Sequence, residues 1–189
     1  PGTGKEKWHY DTKSPRQALT QPVLKNRGVS YWQAKNPQAG PACQKIVYMG
    51  TVDGKLYALD ADSGKPCENF ADKGVLNVNQ WNTVNAKFPL SLLQPPTVVG
   101  DHLIVGWAGK DWAYAEAPPG TVFSINAQTG AREWTFDAIP ASIRLRTGTA
   151  NVWTQQSPDE AQGLVSLPLS LPSPNYLRAH RAPPIPPRT

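Results

Sequence analysis

The stretch TVDGKLYALDADSGKPC (residues 51–67) decides how the chain is read. Apolar and polar residues alternate up to Asp60, which buries one face of a β-strand. Ser63-Gly64 then supplies the positive φ that a tight reversal needs. The same beat returns in VFSINAQTGAREWTF (122–136), set against LYALDADSGKPCENF (56–70). GTGKEKWHY (2–10) reads as the back half of a third copy. Trp8 follows Gly4 by four positions and Trp134 follows Gly130 by four, while Glu68 holds that place in the middle copy. A tryptophan there offers a large flat surface for packing one sheet on the next.

Further strand candidates are GVSYW (28–32), KIVYMGT (45–51), TVVGDHLIVGW (97–107), ANVWTQ (150–155) and GLVSLPL (163–169). No stretch holds 3.6-residue periodicity long enough for a helix. Twenty prolines and fifteen glycines agree with many turns. Short strands around a recurring Gly–Trp hairpin predict an all-β fold, a partial β-propeller of about three blades, with a sandwich as the alternative. Three blades cannot close a ring, so the expectation is a piece of a larger protein. Residues 1–176 are read as the propeller part and 177–189 as a Pro-rich, extended tail.

Among 189 residues, Lys plus Arg number 19 against 14 Asp plus Glu, a net charge of +5. That excess is too dilute for a nucleic-acid surface, and the densest basic stretch, ASIRLRTGTA (141–150), holds two arginines. No run of 18 apolar residues predicts a membrane span, and no leader pattern opens the chain. Cys43 and Cys67 are open to two readings, separate buried thiols or a disulfide, the second favoured by export. Two cysteines and three scattered histidines are a poor zinc set.

The Ala-x-Asp-x-x-Thr-Gly-x-x-x-Trp pattern resembles the docking motif of eight-bladed quinoprotein propellers. More specific are NRGVSYW (26–32), GKPCENFADKGVLNVNQWNT (64–83), LLQPPTVVGDHLIVGWAGKDW (92–112), GTANVW (148–153) and LPSPNY (171–176). In this order they resemble the membrane-bound glucose/quinate/shikimate branch of the dehydrogenases that use pyrroloquinoline quinone (PQQ). The resemblance implies about the first third of such a propeller.

It also implies roles. PQQ is a flat orthoquinone with three carboxylates, so its site needs a fixed cation and flat apolar walls. Arg27 would supply the cation through parallel N–H bonds, with Gly28 leaving room for close approach. Trp153 matches the family's stacking floor, and Asn151 the polar residue reaching the same rings. Read as one strand, 150–155 puts Asn151 and Trp153 on one face. Ala108 and Gly109 would approach the cofactor closely, and Asp111 would ligate calcium or magnesium. A further family ligand, an asparagine, is replaced here by Leu171, which cannot bind a cation. Gln21 and Pro22 stand where other branches carry a cofactor-covering disulfide.

The family's general base lies in a later HDxWD-like segment with no counterpart here, so no catalytic residue is assigned. His9, His102 and His180 are expected at surfaces or strand ends. The implied activity is oxidation of a sugar or cyclic polyol, with ubiquinone as acceptor in the intact enzyme. The implied setting is the periplasm, at the inner membrane through an anchor outside this chain. The competing reading is a non-enzymatic propeller scaffold of the cell envelope, which binds proteins through loops and edges.

Overall fold

A computed structural model describes residues 3–14, 26–37, 41–82, 90–109, 118–143 and 148–173. The tail from 177, Asp111, Gln21, Pro22 and His180 lie outside them.

Two four-stranded antiparallel sheets form the body. The first runs β1 (Ser30–Gln33), β2 (Lys45–Gly50), β3 (Lys55–Asp60), β4 (Val75–Asn77) in simple meander order. The second repeats that order with β5 (Thr97–Val99), β6 (His102–Val105), β7 (Thr121–Asn126) and β8 (Arg132–Asp137). A third unit follows among the described residues: β9 (Gly148–Thr149) pairs with β12 (Pro172–Ser173), and β10 (Ser157–Asp159) with β11 (Leu164–Ser166). The helical elements among the described residues are two short 3-10 turns, Val78–Trp81 and Ala141–Ile143. The chain is thus all-β, as the alternation predicts.

The quoted stretch holds Thr51 and the turn into β3, all of β3, and the turn after it. Gly64 closes that second turn at φ 73°. Asp60 organises it: its carboxylate accepts the Ser63 hydroxyl, the N–H groups of Ser63 and Asp62, and the Cys43 N–H at 2.7 Å. Burial pushes the Asp60 carboxyl up, and these donors more than offset it, leaving its pKa below the usual carboxylate value. Cys43 and Cys67 are bonded, with Cα atoms 5.8 Å apart, fastening the loop before β2 to the segment after β3.

Strands buried on both faces explain the apolar run Leu103-Ile104-Val105. Leu103 and Val105 join a core with Trp32, Tyr48, Leu56, Phe123 and Ile125, packed between the two complete sheets. Ile104 and Val122 point the opposite way, onto Val152, Val165 and Leu167 of the third unit. Sheets stacked face to face about such layers are blades. Full burial of each Leu or Ile contributes about 1.5–3 kcal/mol. Tyr48 donates across the first interface to the Ala127 carbonyl at 2.6 Å.

The docking residues divide. Trp8 lies against Gly64 and donates its indole N–H to the Ala61 carbonyl at 3.1 Å. In the middle copy, where Glu68 replaces tryptophan, Phe70 and Ala71 lie against Gly130 instead. Trp134, on outer strand β8, keeps 47% of its surface exposed.

ANVWTQ is not a strand. Thr149 and Ala150 both take left-handed conformations, φ 55° and 50°, and end β9. Two consecutive left-handed residues break the alternation, so Asn151 is buried while Trp153 is exposed, and they share no strand face.

Candidate functional site

Arg27 enters the site from the segment before β1. Its N–H donates to the Leu93 carbonyl at 3.2 Å. The Asn26 carboxamide accepts the Gly28 N–H at 2.7 Å and donates to the Gly50 carbonyl at 2.9 Å. Gly28 sits at φ 127° with open space around an added β-carbon, so its backbone conformation is what requires glycine. The Arg27 side chain then reaches across 126 residues of sequence. Its guanidinium lies 4.8 Å from the Trp153 ring centroid, and Nη1 donates to the Trp153 carbonyl at 3.3 Å. A guanidinium over an indole is attracted by about 0.5–1 kcal/mol at an exposed site.

Trp153 is positioned by the segment leading to it. Thr149 donates its N–H to Pro118 and its hydroxyl to the Leu171 carbonyl. Asn151 and Ser170 clasp each other through three bonds: Asn151 N–H to Ser170 Oγ at 3.0 Å, Ser170 Oγ to Asn151 Oδ1 at 2.5 Å, and Ser170 N–H to Asn151 carbonyl at 3.0 Å. The Asn151 Nδ2 donates to the Trp107 carbonyl at 2.7 Å. The left-handed Thr149 and Ala150 just before Asn151 store strain of the kind that gathers at binding sites.

Ala108 is buried and exchanges two backbone bonds with Ser91, at 2.8 and 3.3 Å. Gly106 is pressed so close to Val152 that a β-carbon would stand 2.0 Å from its carbonyl oxygen. The contacts therefore close a circuit: Arg27 to Leu93, Ser91 to Ala108, Trp107 to Asn151, and Trp153 back to Arg27. Arg27, Ala108, Asn151 and Trp153 lie on it, with Gly28 and half-buried Gly109 next in sequence. Trp107 Nε1 and Gln94 Oε1, both buried, have no hydrogen-bond partner.

Asn26, Ser170 and Gln94 were not singled out from sequence. Asn two residues before the Gly28 N–H is a recognisable Asx-turn signal. Ser170 meets Asn151 only in three dimensions and leaves no local trace.

Among the described residues, no group of three or more His, Cys, Asp or Glu gathers in metal-binding geometry. Leu171 is 62% exposed and offers only its carbonyl, already used by Thr149. One polar trio elsewhere invites a hydrolytic reading and fails it. Glu133 Oε2 lies 2.6 Å from His102 Nδ1 and accepts the Ser124 hydroxyl at 2.8 Å. The carboxylate sits between the two, so no imidazole faces the hydroxyl, and Ser124 is fully buried.

Across residues 1–185 the sequence matches the family model described as "PQQ: Glucose/ethanol/alcohol dehydrogenase, beta-propeller domain". The chain belongs to this family. It is 32% identical to the quinoprotein glucose dehydrogenase of Escherichia coli, a match covering 96% of this chain and 24% of that protein. It is 29% identical to the quinate/shikimate dehydrogenase (quinone) of Acinetobacter baylyi, over 88% of this chain and 23% of the relative. The chain thus spans about a quarter of the length of these relatives. Among solved structures, the quinohemoprotein alcohol dehydrogenase of Comamonas testosteroni superposes with a TM-score of 0.54 at 26% identity, covering 74% of this chain and 17% of that one. This PQQ family membership agrees with the expectation from the docking motif and the NRG, GWAG and GTANVW segments. Trp153, 38% exposed, and Arg27 are the kinds of aromatic surface and cation that a planar carboxylated ring calls for, and in the free chain they lie against each other.

Proposed function

We propose that this chain is the cofactor-gripping part of a PQQ-dependent dehydrogenase that oxidises a sugar or cyclic polyol of the glucose, quinate or shikimate type. The observation that carries the reading is the Arg27 guanidinium held over the Trp153 indole. PQQ, when bound, supplies an orthoquinone that accepts hydride from the alcohol carbon. Arg27 grips a carboxylate or quinone oxygen, and Trp153 supports the ring plane. Asn151, clasped by Ser170, fixes the segment that carries Trp153, while Ala108 and Gly109 wall the site with small side chains. Asp111 is assigned to calcium or magnesium, with Leu171 removing one customary ligand.

None of the circuit's residues is a carboxylate, so the circuit binds and orients without taking a proton. On this reading the chain by itself holds cofactor without turning over substrate. In the intact protein, electrons pass to ubiquinone, at the periplasmic side of the inner membrane. The Cys43–Cys67 disulfide supports an oxidising compartment. Among the described residues, no helix is long and apolar enough to cross a membrane.

Titration of the 189-residue chain with PQQ, read by tryptophan fluorescence, tests this reading. Saturable quenching that weakens in Arg27→Ala is the expected result. Absence of quenching overturns it in favour of a non-enzymatic scaffold.

A further inference from the structure

Arg27 has a long, flexible side chain, and its place over Trp153 depends on where its backbone is held. Three hydrogen bonds hold that backbone, and Asn26 makes two of them. Its Oδ1 accepts from Gly28 N–H at 2.7 Å, folding the chain into an Asx turn with Arg27 at the apex. Its Nδ2 reaches the Gly50 carbonyl at 2.9 Å, at the end of β2. The third bond runs from Arg27 N–H to Leu93. Gly50 and the Leu92–Leu93 segment are themselves in tight contact, since a β-carbon at Gly50 would stand 2.6 Å from Leu92 Cβ. Two of the three bonds therefore end on one packed patch, Gly50 against the Leu92–Leu93 segment, and the third folds the turn between them. Only the side-chain torsions of Arg27 remain to be fixed, and the indole fixes them.

We propose that Asn26 is the positioning residue of the Arg27–Trp153 pair: its two-sided carboxamide bridge sets the guanidinium over the indole before any ligand arrives. The proposal concerns the free chain first, and its bearing on affinity rests on the PQQ reading above. An Arg27 backbone fixed beforehand loses less freedom on binding, whichever way its guanidinium then turns, so the bridge raises affinity without touching the ligand.

The test uses the full 189-residue chain, with folding checked by far-ultraviolet circular dichroism. In the free protein, proton NMR should show the Arg27 δ-methylene upfield of its random-coil position through the ring current of Trp153, with Arg132, over the Trp81 ring, as the unaffected comparison. That shift is expected to collapse in Asn26→Ala and to be partly kept in Asn26→Ser, whose hydroxyl still accepts from Gly28. Should Asn26→Ala not fold, Asn26→Ser alone is read, and an undiminished shift there overturns the proposal. An upfield shift that survives Asn26→Ala, or is missing from the unaltered chain, overturns it too. With PQQ, Asn26→Ala is expected to weaken binding about tenfold. In an Arg27→Ala background the same change should alter affinity by less than about twofold, because Asn26 acts through Arg27. An equal loss in both backgrounds overturns the positioning role. A chain that binds no PQQ but loses the ring-current shift in Asn26→Ala upholds the positioning role and rejects the cofactor reading.

Discussion

Trp8 covers Gly64 so closely that a β-carbon there would stand 2.6 Å from the indole Cδ2. The two residues belong to successive copies of the hairpin, so the contact is a seam between blades. It combines two demands on position 64, a left-handed backbone at φ 73° and an absent side chain. Gly64→Ala should therefore cost about 2–4 kcal/mol, the sum of backbone strain and overpacking. Urea unfolding measures it. Trp8→Ala in the same chain should recover the steric part and leave the backbone part.

Arg27→Ala should weaken PQQ binding by roughly ten- to a hundredfold, the worth of a charge-assisted hydrogen bond. Arg27→Lys should restore less than half of that free energy, because an ammonium neither forks onto a carboxylate nor stacks on indole. Fluorescence titration of the three chains checks the order.

Asn151→Ala strands the buried Trp107 carbonyl and removes an acceptor from Ser170. The expected loss is about 1–3 kcal/mol by urea unfolding. Asn151→Asp should be worse, since a carboxylate cannot donate to Trp107 and would face its oxygen.

Acid should unfold the chain partly through Glu133. Burial raises that carboxyl's pKa, but the bonds from His102 and Ser124 prevail and leave it below the ordinary glutamate value. A folded pKa lower than the unfolded one contributes stability above the unfolded pKa, about 4.3. That contribution is lost as pH falls through the folded value. Glu133→Gln should flatten the decline of stability below about pH 4.3, read as midpoint urea concentration against pH.

Reducing the Cys43–Cys67 bond should lower stability by about 3 kcal/mol, for a closed loop of this size. Comparing unfolding with and without dithiothreitol, with Cys43→Ser/Cys67→Ser as control, measures it.

The hairpin beat was legible because its cause is local. Gly64 and Gly130 mark turns, alternation marks the strands between them, and both survive into the structure unchanged. Membership of the propeller family followed from motifs that keep their order along the chain. The 150–155 segment misled because neither Thr149 nor Ala150 advertises a left-handed conformation. The Thr149 amide and hydroxyl are held by Pro118 and Leu171, and the Asn151 amide that follows by Ser170, all distant in sequence. The Cys43–Cys67 pairing stayed open for a related reason: spacing does not say which loops the first sheet folds together. Asp111 lies outside the described residues, so its role stays with the proposal.

The sequence separation of 126 between Arg27 and Trp153 carries a kinetic meaning. Closing so wide an arc has an entropic cost that local hairpins never meet, and it can be met only after both complete sheets have docked and the third unit has laid Val152 on Ile104. The cation–indole contact should then be among the last events of folding. Fluorescence at Trp153 would lag behind the backbone signal in a refolding experiment, and competence to take up a ligand would arrive later than shape.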